Sequence, residues 1–76
     1  MYVRIQLIIR IIEDAKFRER LASVMGIKNR AVYNQALKYR EKPVENSNFT
    51  KIVVIEFFKK EGYLEEQILT KDNTAV

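Results

Sequence analysis

A small all-α domain of four to five helices is predicted for this 76-residue chain, on three observations. Apolar residues recur at helical spacing through most of its length. Only two glycines and one proline punctuate it, and each glycine follows directly on such a run. Hydrophobic content of 47% is ample for a packed core, although a chain this short buries a smaller share of its surface than a longer one. The domain is expected over residues 1–70, with 71–76 an aperiodic, disordered tail.

Taken in order, the first run fits two templates. Val3, Ile5, Leu7, Ile9 and Ile11 alternate as in a strand, whereas Ile5, Ile8, Ile9 and Ile12 fall on one helical face. The run continues into Glu13, Asp14, Ala15 and Lys16 without a turn residue, which favours helix. Its aliphatics exceed what one helix face buries in a small domain, so the surplus is expected at a partner surface, most simply that of a symmetry mate. Asp14 or Ala15 marks a break. The next helix starts near Lys16 or Phe17, with Phe17 anchoring the core beside Leu21. Leu21, Ala22, Val24 and Met25 form its apolar stripe, opposed by Arg18, Glu19, Arg20 and Ser23. Gly26 stops the helix, because glycine enters the left-handed region without a side-chain clash, and Ile27 is expected to plug the corner. From Asn29 to about Arg40 a further helix turns Val32, Ala36 and either Leu37 or Tyr39 inward.

Glu41 to Asn48 reads EKPVENSN, a loop: the residue before a proline avoids helical geometry, and Asn and Ser favour turns. Ser47 or Asn48 caps a helix from Phe49 or Thr50 to Glu61. The stretch IVVIEFF also suits a buried strand, but Lys59, Lys60 and Glu61 ahead of Gly62 read as a helix's charged last turn and glycine stop. Tyr63 to Leu69 forms a last short helix, with Tyr63, Leu64, Ile68 and Leu69 closing the core and Glu65 and Glu66 in the first turn, where the helix dipole favours acids.

One spacing carries functional information. Ala22 is followed four places later by Gly26, then at once by Ile27, and six places after the glycine by Val32. This is helix-turn-helix spacing, in which the small residue lets two helices cross steeply at a short turn. Here the chain resembles the lambda-repressor-like family of Cro and CI repressors, loosely over 3–69 and closely over 21–32. The resemblance implies that the helix over about 29–40 lies in the major groove of DNA. It implies too that the following loop, with Lys42, runs beside the DNA backbone. Lys28 stands where such motifs often carry a capping Ser or Thr, which makes Asn29 the expected cap. Gln35 stands where they usually keep a small or apolar residue.

Within that frame Asn29, Arg30, Tyr33 and Asn34 face the groove. The fork of Arg30 matches guanine O6 and N7, and Asn34 matches an adenine edge. Tyr33 packs on a thymine methyl or bonds a phosphate. Lys28, Lys38, Arg18 and Arg20 are expected to hold phosphates, fixing register without carrying sequence information. The charge map agrees: residues 28–42 carry five basic side chains and one acidic, while 62–76 carry one basic and three acidic. A local basic face is the footprint expected for phosphate contact. One recognition helix reads only a few base pairs, so a homodimer is expected, paired through the surplus isoleucines of the first helix or through Phe57 and Phe58.

The chain has no cysteine and no histidine, which excludes disulfides, thiolate chemistry, His-based catalysis and the usual zinc sites. Glu13 and Asp14 point about 100° apart on a helix and do not converge on a catalytic site. No enzyme activity, cofactor or small-molecule ligand is expected. The first apolar run is too short and too charged to span a bilayer, and a cytoplasmic location is expected. The reading is a sequence-specific double-stranded DNA-binding regulator of the phage or mobile-element repressor type; the rival is a small helical protein-interaction module that does not bind DNA.

Overall fold

The computed structural model describes residues 1–71. The tail expected over 71–76 lies, apart from Lys71, outside the described residues. The order is β1 (Tyr2–Val3), α1 (Ile5–Glu13), α2 (Ala15–Met25), α3 (Asn29–Glu41), a 3-10 turn (Asn48–Thr50), α4 (Ile52–Lys60), α5 (Glu65–Ile68) and β2 (Leu69–Thr70). It is a small all-α domain in which one short antiparallel pair, Val3 opposite Leu69, joins the two ends of the fold. That pair was not foreseen: two-residue strands carry no alternation to read.

Both ambiguous runs are helical. In α1, Leu7, Ile8 and Ile11 are buried and Ile5 and Ile12 pack against the core, so the predicted surplus is largely absorbed. The reason is placement: α1 packs against both α2 and α3, and covers more than one face. Asp14 breaks the chain as expected and caps α2, its Oδ1 accepting from the Phe17 N–H at 3.0 Å. That bond is the main cause holding the Asp14 carboxyl below its usual range.

Phe17 is the hub of the core. Its ring lies 5.4 Å from Phe57 and 6.2 Å from Phe58, joining α2 to α4. Burying each such ring stabilises the fold by roughly 1.5–3 kcal/mol. Phe57 and Phe58 are therefore core residues and not the pairing surface considered for them. On the opposite side, the Tyr39 hydroxyl donates to the Val3 carbonyl at 2.9 Å and ties α3 to β1; burial pushes its phenol pKa up.

Three further expectations are corrected. Ser47 caps the 3-10 turn that buries Phe49, and α4 begins only at Ile52, after extended Lys51. Its first residues, Ile52 and Val53, are consequently left 78% and 49% exposed. α5 is a single turn, because Leu69 leaves it to pair with Val3, and Leu64 is exposed instead of closing the core.

Candidate nucleic-acid interface

The connection between α2 and α3 is built from backbone. Gly26 takes a left-handed conformation at φ 71°, ψ 27°. Its N–H donates to Ser23 at 3.3 Å and the Ile27 N–H donates to Ala22 at 3.2 Å, the paired bonds of a Schellman turn. The Ile27 side chain does not plug the corner; it is 37% exposed. The hydrogen bonds close the turn, and the hydrophobic contact that accompanies such turns falls on Ala22, which offers only a methyl.

Lys28 is the N-cap residue of α3, extended and without a side-chain cap bond. Asn29 does not cap the helix; it is the first helical residue, and its amide is used elsewhere. Val32, Ala36 and Tyr39 are buried, and Leu37 is half-buried, which fixes the rotation of the helix. Lys28, Arg30, Asn34 and Lys38 are exposed, and their side chains have no hydrogen-bond or ion-pair partner among the described residues. Arg30, Asn34 and Lys38 follow one another at intervals of four residues, which stacks them along one side of the helix.

The remaining four candidates divide. Arg18, Asn29 and Tyr33 form one cluster. Arg18 Nη1 donates to the carbonyls of Ile11 at 2.9 Å and Ile12 at 2.8 Å, closing the C-terminal end of α1. Its Nε donates to Asn29 Oδ1 at 2.7 Å, and its guanidinium carbon lies 4.9 Å from the centre of the Tyr33 ring. One side chain thus ties the end of α1 to the start of α3. Arg20 is elsewhere, because two residues rotate a helix by about 200°. It donates twice to Glu61, at 2.7 and 3.1 Å, where α4 ends. Those bonds raise the Arg20 pKa and are the first cause lowering that of Glu61.

Beyond Lys38, a groove of about 380 Å³ opens between α3 and the following loop, lined by Lys38, Lys42, Tyr39, Val44 and Phe49 among others. Gln35 lies at its edge, accepting from Asn48 Nδ2 at 3.4 Å. This explains a polar residue at that position: it faces the loop. Lys42 extends the exposed basic line by one turn past Lys38, a placement that their four-residue spacing signals in the sequence. Among the described residues no group of three or more acidic side chains is placed to hold a metal ion. No helix among them is long and apolar enough to cross a membrane. Comparison with protein-family models, curated proteins and solved structures finds no match.

Proposed function

We propose that the chain binds double-stranded DNA by laying α3 in the major groove, and that it acts as a small regulator of the phage or mobile-element repressor type. The observation that carries this reading is the unpartnered line of Arg30, Asn34 and Lys38 on a helix held behind a left-handed glycine turn, with Lys28 exposed at its N-cap. Side chains left free on a rigid helix reach base edges and phosphates without first breaking internal bonds. Arg30 and Asn34 are the base readers, and Lys28 and Lys38 the phosphate contacts.

Two copies are needed for a site of useful length. Ile52 and Val53, adjacent and exposed at the start of α4, are the apolar surface that serves this pairing. The same two residues favour a second reading, a protein-interaction module without DNA binding. Titration onto random-sequence duplex at several salt concentrations separates the two. A log-log slope of several units, about 0.9 per phosphate contacted, is expected. No binding at low salt would leave the interaction module.

A further inference from the structure

The groove beside α3 and the exposed start of α5 are complementary in charge and in apolar surface. The groove, about 380 Å³ in volume, has buried Tyr39 and Phe49 in its lining and Val44, 49% exposed, at its wall. Lys38 and Lys42 flank it one helical turn apart, and their side chains have no hydrogen-bond or ion-pair partner among the described residues. No carboxylate among the described residues lines it. Recognition sites are commonly concave and apolar, with a few charged groups at the edge. The charge here calls for an acidic occupant that carries an apolar side chain.

The chain holds such a segment itself. Leu64 is 60% exposed, more than any other large hydrophobic among the described residues except Ile52. Glu65 and Glu66 follow it, both exposed. The Glu66 carboxylate has no partner among the described residues, and that of Glu65 meets only Lys59, at 3.8 Å on the surface. None of the three lines the groove of its own molecule. They are also held in place: Leu69 pairs with Val3, and Arg4 Nε donates to the Glu66 carbonyl at 2.6 Å, which seats α5 beside β1.

We propose that Leu64, Glu65 and Glu66 of one copy dock into the groove of a second copy, with Leu64 against Val44 and the two carboxylates facing Lys38 and Lys42. The contact covers two apolar side chains that the fold leaves exposed and brings opposite charges together. It is a weak association, because exposed ion pairs contribute little and are screened by salt. It does not depend on the DNA-binding reading. Under that reading the two share Lys38, so a docked copy and a duplex exclude one another there.

The test is NMR on two charge-reversed variants with no DNA present. One carries Lys38→Glu and Lys42→Glu, the other Glu65→Lys and Glu66→Lys. Each places like charges on both surfaces, so neither is expected to associate through the groove. Adding the unlabelled second variant to the isotope-labelled first restores opposite charges across the contact, and shifts are expected over residues 42–49. Wild type alone should show concentration-dependent shifts both there and over residues 63–67, weakened severalfold by salt. Leu64→Ser should keep the wild-type melting temperature and associate about tenfold more weakly.

A mixture as inert as each variant alone would overturn the proposal, as would a wild-type spectrum independent of concentration. Wild-type shifts confined to α4 would also overturn it, assigning self-association to Ile52 and Val53. If either reversed variant does not fold, Leu64→Ser and salt decide. Undiminished association of Leu64→Ser, or association of wild type that salt does not weaken, contradicts the contact.

Discussion

The basic side chains around the start of α2 and those along α3 look alike in the sequence, and the fold uses them differently. Arg10 lies 4.0 Å over the Phe17 ring and donates to the Tyr63 hydroxyl at 2.7 Å. Arg18 closes the end of α1, and Arg20 is paired with Glu61. All three are spent within the fold. The side chains of Lys28, Arg30 and Lys38 have no partner among the described residues. Positive charge in a small domain therefore says little about function until the internal acceptors have been assigned, and the unassigned remainder is where a ligand is to be sought.

Arg18→Ala should destabilise the domain by about 2 kcal/mol, since it strands two helix-end carbonyls and the Asn29 amide, measurable by urea unfolding. Arg30→Ala should leave stability within about 0.5 kcal/mol of wild type. Instead it should weaken binding to a preferred duplex by about 1–3 kcal/mol and relax the choice at one base. Equal effects of both substitutions on both properties would erase the distinction. Gly26→Val tests the frame that holds α3. Nothing lies within 4 Å of an added Cβ, so the cost is conformational, about 1–2 kcal/mol for a side chain at φ +71°.

Smaller effects sharpen the contrast. Arg20→Ala should lower the melting temperature slightly, as expected of an exposed ion pair, and leave the preferred DNA sequence unchanged. Acid should act through the same network. Asp14 and Glu61 are held below their ordinary values of 3.8 and 4.5, so the folded state favours their ionised forms. Their contribution is present above those values and lost as pH falls through the lowered folded ones. Wild type should therefore lose more stability than Arg20→Ala as pH is taken below about 4.5. Parallel acid profiles would count against the Arg20–Glu61 pair.

Much of the fold was legible because its signals are local. Asp14, Gly26 and Gly62 mark breaks by their own conformational preferences, and Phe17, Val32 and Ala36 follow from periodicity. What was hidden depends on distant partners. Nothing near Arg18 in the sequence announces that the Ile11 and Ile12 carbonyls and Asn29 converge on it, and nothing near Arg20 announces Glu61. The exposure of Ile27 depends on turn geometry, and that of Ile52 on where α4 begins. Phe57 and Phe58 could be assigned to the core only once Phe17 was seen packed against both rings.

The most direct test of the central claim is to map backbone amide shifts by NMR as a short duplex is added at low salt. Perturbations are expected to concentrate on residues 28–38 and the Lys42 loop, with the Arg20–Glu61 side of the molecule little changed. Perturbations centred on α4, or none at all, would contradict that claim.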